Sequence, residues 1–117
     1  MEQLNRIQLR GRVGNVRLSM VAGRSVCHFS VATNTIYRNA DNQPIEEVTW
    51  HNCFLWSSKR YPDVSFIRVG RPVEVVGRIR SNRYIGTDGV ERISTEVAAS
   101  EVTALPENEP LRASTSI

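Results

Sequence analysis

The chain has 117 residues, 40% of them apolar, and a net charge of +3. That suffices for one domain with one modest core, and no apolar run approaches the roughly 20 residues a membrane helix needs. Lys59 is the one lysine among 15 basic residues; arginine's planar fork pairs with phosphates and stacks on rings as lysine does not, although a genomic bias towards arginine leaves the same composition.

The N-terminus has no long apolar segment behind it, so no secretory leader is expected and a cytoplasmic protein is the default. Leu4 to Arg17 reads as a first strand: Ile7, Leu9 and Val13 are apolar, with Arg6, Gln8, Arg10 and Arg12 between them. Gly11 and Gly14 interrupt it, as glycines do at bulges and barrel corners. After a turn at Ala22-Gly23-Arg24, Ser25 to Thr33 forms a second strand, with Cys27, Phe29 and Val31 on one face and His28 and Ser30 on the other. A polar loop, 39–44, leads to a third strand from about Glu46 to Trp56. Ser57 to Val69 is the one plausible helix. Pro62 suits its first turn, Val64, Phe66 and Ile67 make a short buried stripe, and Gly70 ends it. The fourth strand is Pro72 to Tyr84: Val73, Val75, Gly77 and Ile79 face one way, and Glu74, Val76, Arg78, Arg80, Asn82 and Tyr84 the other. Thr87-Asp88-Gly89 is a hairpin turn, and the fifth strand is about Glu91 to Leu105. Residues 106–117 read as a short disordered tail.

This order predicts an all-β chain: a five-stranded OB-fold Greek-key barrel over residues 1–105, with one short helix between strands 3 and 4. Such barrels bind oligonucleotides or oligosaccharides, so the site must decide the function.

The third strand carries Trp50, Asn52, Phe54 and Trp56 on one face, because successive side chains alternate. Two readings stand. Aromatics at period two are commonly a buried sheet face. Alternatively, the smaller set His51, Cys53 and Leu55 fills the barrel, and the large rings form an exposed patch that needs a ligand or partner. Arg78, Arg80 and Tyr84 share a face of the fourth strand, with Arg83 beside them; Arg38 follows Tyr37, and Lys59 follows the tryptophan strand. Basic groups interleaved with rings suit a groove that tracks a sugar-phosphate backbone while bases stack. A solvated face with cross-strand ion pairs is the bland alternative.

Catalytic chemistry is unsupported, and no enzyme is expected. No GxSxG, HExxH or phosphate-cradling glycine loop occurs, and the carboxylates form no evident pair. His28 reads as a surface or interface residue, and His51 as a hydrogen-bonded structural one. Cys27 and Cys53 have no CxxC partner or ligand cluster, so both read as buried thiols, a disulfide being the lesser alternative, with no metal and no cofactor.

Over about residues 4–105 the chain resembles the bacterial single-stranded DNA-binding proteins. The matching stretches are Asn5-Arg6-Ile7-Gln8-Leu9-Arg10-Gly11-Arg12-Val13-Gly14, Phe29-Ser30-Val31-Ala32-Thr33-Asn34, Glu47-Val48-Thr49-Trp50-His51, Val75-Val76-Gly77-Arg78-Ile79-Arg80-Ser81 and Ser94-Thr95-Glu96-Val97. The resemblance implies base stacking at Tyr37, Trp50, Trp56 and Tyr84, and a basic contact at Arg80. Asn52 and Asn82 stand where some members have arginine, with Arg78 a partial compensation. It also implies a homotetramer wrapped by single strands, with His51 near the subunit interface. There are two departures. The loop after Gly14 is shorter than usual, and the acidic tip that recruits replication and repair enzymes is missing, so tail-mediated recruitment is not expected.

The sequence therefore predicts sequence-tolerant binding and protection of single-stranded DNA in replication, recombination or repair. The binding set is Tyr37, Trp50, Trp56, Tyr84, Phe54, Arg38, Lys59, Arg78, Arg80 and Arg83, in a cytoplasmic, nucleoid-associated protein that touches no membrane. The rivals are a primosomal accessory dimer of the same fold and a protein-interaction module built on the tryptophan face.

Overall fold

A computed structural model describes residues 1–108 and 110–116. Five long strands dominate: β1 (Ile7–Val21), β2 (Arg24–Arg38), β3 (Pro44–Trp56), β4 (Pro72–Ile85) and β5 (Glu91–Ala104), followed by a two-residue β6 (Ser114–Thr115). The order is β1-β4-β5-β3-β2-β6, and an additional β1–β2 pairing joins the two sides. β1 therefore serves both: Arg12 to Val21 pairs with β2, and Ile7 to Arg12 with β4. The result is a closed five-stranded barrel. Its one parallel seam among these five is short, Cys53 opposite Val97 and Phe54 opposite Ala98.

The local chemistry explains the path. Ala22 (φ 50°) and Gly23 (φ 79°) both adopt positive φ, which gives the primed turn that fits the twist of a two-residue hairpin. β1 must bend where it changes partner, and its register shifts between Val13 and Val16. Gly11 lies just before that bend. A Cβ there would come within 2.1 Å of the Ala32 carbonyl oxygen, so only glycine permits the close crossing of β1 over β2.

The core is built from Leu9, Val13, Cys27, Phe29, Val31, Cys53, Leu55, Val73, Val75, Val97 and Val102, all buried. Short branched side chains suit the narrow interior of a small barrel. Val64 and Ile67 close one end of it at 3% and 2% exposure.

The connection carrying those two residues corrects the sequence reading. Residues 57–71 form no helix; they run as bends and turns. Their backbone groups bond elsewhere: Ser57 N–H to Ser25 at 2.9 Å, Gly70 N–H to Val13 at 2.8 Å, and Val13 N–H back to Arg71 at 3.0 Å. The Asp63 carboxylate accepts from the Ser65 N–H at 2.9 Å, a local side-chain turn that competes with a helical ladder.

The tail also departs from expectation. Ser114 and Thr115 pair in parallel with Thr35 and Ile36 of β2, on a stretch of edge that β1 has left. Glu109 and Ile117 lie outside the described residues. Among the described residues, no helix is long and apolar enough to cross a membrane.

Candidate nucleic-acid interface

Residues directly opposite in a ladder share a face, so the registers assemble one surface from four strands. His28 on β2 faces Phe54 on β3, Phe54 faces Ala98 on β5, and Ala98 faces Arg78 on β4. The same pleat phase carries Trp50, Asn52 and Trp56 along β3, and Arg80, Asn82 and Tyr84 along β4. The core residues Cys53, Leu55, Val73, Val75 and Val97 occupy the opposite phase. The rings and arginines thus lie on the outside of the barrel, and the reading in which all the large rings are core does not hold.

The rings differ in how open they are. Trp50 is 58% exposed and Tyr84 46%. The Trp50 ring lies over Gly14, where a Cβ would come within 2.2 Å of Cζ3. Trp56 is half-buried, with the Arg24 guanidinium 5.0 Å from its centroid. Phe54 is on the expected face but buried, beneath Arg80 at 5.1 Å and against His28 at 6.1 Å. Tyr37 is exposed but stands apart. It pairs with Ile45 in the phase of Thr33 and Thr35, whereas Trp50 pairs with Ala32, so the β2–β3 ribbon turns the two rings to opposite sides.

The cations divide likewise. Arg78 and Arg80 sit on the ring-bearing face, and Arg80 Nε pairs with Glu96 at 3.2 Å. Arg83 does not join them. Its register partner is Ile93, on the other face of the hairpin, and it pairs with Glu91 at 3.6 Å. Arg38 is tied to its own loop, donating to the Asn42 carbonyl at 2.8 Å. Lys59 is exposed in the turn after β3.

Burial acts on both histidines and both cysteines. Burial, then the Arg17 charge, lowers the pKa of His28, with Glu96 acting in the opposite sense. Burial lowers that of His51, whose Nε2 is 2.8 Å from the Thr33 hydroxyl. Burial raises the Cys27 thiol to about 11 and the Cys53 thiol to about 12. Among the described residues no cluster of histidine, cysteine or carboxylate side chains could hold a metal ion.

The profile of the Single-strand binding protein family matches residues 4–105. The chain belongs to that family. It is 35% identical over 105 residues to the single-stranded DNA-binding protein of Neisseria meningitidis serogroup A, covering 87% of this chain and 60% of that one. It is 28% identical to the mitochondrial single-stranded DNA-binding protein of Danio rerio, covering 92% and 80%. The chain thus spans about 60% of the bacterial relative's length. The Plasmodium falciparum SSB, solved in complex with ssDNA, superposes with a TM-score of 0.81 at 25% identity, covering 91% and 98%. The single-stranded DNA-binding protein of Thermus aquaticus, a deletion mutant, shares the fold at 0.76 and 18% identity.

Within this family member, three residues of the face escaped sequence reasoning. His28 alternates with Cys27 and Phe29, which put it on the polar side of β2 but gave no sign that it abuts Phe54. Arg24 gave no signal at all, because its contact with Trp56 joins a hairpin tip to the end of β3. Gly14 was legible as a bulge but not as the floor beneath Trp50.

Proposed function

We propose that the chain is a non-enzymatic, sequence-tolerant binder of single-stranded DNA. The carrying observation is the outer barrel face on which Trp50, Trp56 and Tyr84 lie with Arg78 and Arg80 in a member of the single-strand binding family. Arginines and Lys59 draw in phosphates and release counterions, so affinity falls with salt. Exposed rings then stack successive bases at roughly 1–3 kcal/mol each. Every base has a ring face, so little sequence preference results. Binding and protection of open strands fits replication, recombination and repair, at the nucleoid in the cytoplasm. Tyr37, on the other side of the ribbon, would engage a different stretch of the strand from Trp50.

A homotetramer is part of this reading. A groove of about 1430 Å³, walled by residues 8–12, 32–34 and 110–114 and containing His51, is where we seat a neighbouring subunit. Light scattering tests it: a dimer would favour the primosomal alternative. The domain division, a binding unit over 1–105 with a short tail, belongs to the same proposal.

The deciding experiment is tryptophan fluorescence during titration with oligo(dT), at low and high salt, with a duplex control. Strong quenching by the single strand alone is expected, weakening as salt rises. No binding at low salt would leave the tryptophan face as a protein-docking surface.

A further inference from the structure

The outer face is partly occupied by its own arginines, and the two occupied rings are held differently. Arg80 lies over Phe54 and is anchored by the Glu96 carboxylate at 3.2 Å. Arg24 lies over Trp56 at 5.0 Å, and its Nη2 donates to a neutral group, the Ser57 carbonyl, at 2.9 Å. The ion pairs found among the described residues do not include Arg24.

A base stacking on the covered side of Trp56 needs the space the guanidinium fills. Arg24 directly follows the Ala22-Gly23 turn and is exposed, so its long side chain hangs from a hairpin tip with room to swing. A displaced guanidinium stays tethered beside the incoming nucleotide, whose phosphate is the strongest acceptor it can find. The exchange replaces a cation–π contact with a charge-assisted bond. Arg80 is less free to do the same, because leaving Phe54 also strands Glu96.

We infer that Arg24 is a further DNA-contacting residue: an incoming base displaces its guanidinium from the Trp56 ring, and the guanidinium then pairs with a phosphate of the bound strand. Arg24 so acts as a removable cover that becomes a ligand. The inference rests on the single-stranded DNA reading above.

The test is the salt dependence of labelled oligo(dT) binding, followed by anisotropy, for the full chain carrying Arg24→Ala or Arg24→Lys. One phosphate contact on a single strand contributes a slope of about 0.7 in log affinity against log salt. Arg24→Ala should lower the slope by about that amount, bind several-fold more weakly at low salt, and approach the wild type at high salt. Arg24→Lys, which keeps the charge, should keep the slope. A wild-type slope in Arg24→Ala would overturn the inference and leave Arg24 a structural cover for Trp56. Equal loss of slope in both variants would also overturn it, tracing the effect to the Ser57 anchor. If the wild type itself does not bind oligo(dT), the underlying reading fails, and that result is distinct from either.

Discussion

Gly14→Ala separates the role of Trp50 in binding from its role in the fold. A Cβ at position 14 would lie 2.2 Å from Trp50 Cζ3 and 2.7 Å from Cη2. Carbon atoms in contact sit at about 3.5–4.0 Å, so the ring must move away by about 1.3 Å or more. It can do so, because its outer side is open to solvent. Overpacking costs about 1–3 kcal/mol in a closed core, and an open ring belongs at the low end. Replacing glycine by alanine at a compatible backbone returns about 0.4–1 kcal/mol through the unfolded chain. The net change in stability should therefore stay within about 1 kcal/mol. Binding should suffer more, since a stacked base contributes roughly 1–3 kcal/mol, or about 5- to 150-fold in affinity, and a displaced ring forfeits part of it. Urea denaturation and oligo(dT) anisotropy measure the two quantities. In a Trp50→Ala background, Gly14→Ala should cost no further affinity, because the ring it displaces is gone. Additive losses would refute the reasoning and trace the defect to the β1 bulge.

The two faces of the β4–β5 hairpin should respond differently. Arg80→Ala should weaken oligo(dT) binding at low salt, with a smaller fall in salt slope than Arg24→Ala because Glu96 already pairs with Arg80, while Arg83→Ala, on the far face, should leave binding unchanged; equal effects of Arg80→Ala and Arg83→Ala would mean the strand wraps both sides. Burial holds the folded-state pKa of His51 below its ordinary 6.5, so stability should be complete above that pH and fall as pH drops through the lowered value. His51→Gln should lessen the dependence of the urea midpoint between pH 7.5 and 5, His28 keeping its own share, and an unchanged profile would sink the assignment. With pKa values near 11 and 12, Cys27 and Cys53 should react with a disulfide reagent only after denaturant is added, and rapid native labelling of either would contradict its burial.

Much of this was legible because a small barrel ties alternation to geometry. The grouping of Cys53 with Leu55, of Val73 with Val75 and of Trp50 with Trp56 followed from the period of two, but which phase of β3 faces outward stayed open until the burial of Cys53 and Leu55 decided it. The helix was misread for a physical reason. Val64 and Ile67 have helical spacing, yet a segment that merely plugs a barrel end needs two apolar residues at about the same interval. Its backbone partners on Ser25 and Val13 are remote in sequence. The cover over Phe54 comes from a different strand, and Arg83, the sequence neighbour of the face-sharing residues, takes the opposite face because successive side chains alternate. Tyr37 joins Trp50 in the binding set through the family resemblance, and the ladder sets the two rings out of phase. The short β6 depends on a free edge that exists only because β1 bends away.

That bend has a counterpart at the opposite closure. β3 and β5 meet through only two registered pairs, Cys53 with Val97 and Phe54 with Ala98, whereas β2–β3 and β4–β5 each run the length of their strands. The barrel is thus two long ribbons joined through β1 on one side and along a brief suture on the other. Openings that fall short of global unfolding start where few contacts hold, so this is where the cylinder should first come apart. The suture runs beneath Phe54, Arg80 and the proposed path of the nucleic acid. A strand gripped by β3 on one side and β4–β5 on the other would lie across it as a splint, and occupancy would be felt as mechanical closure of the barrel.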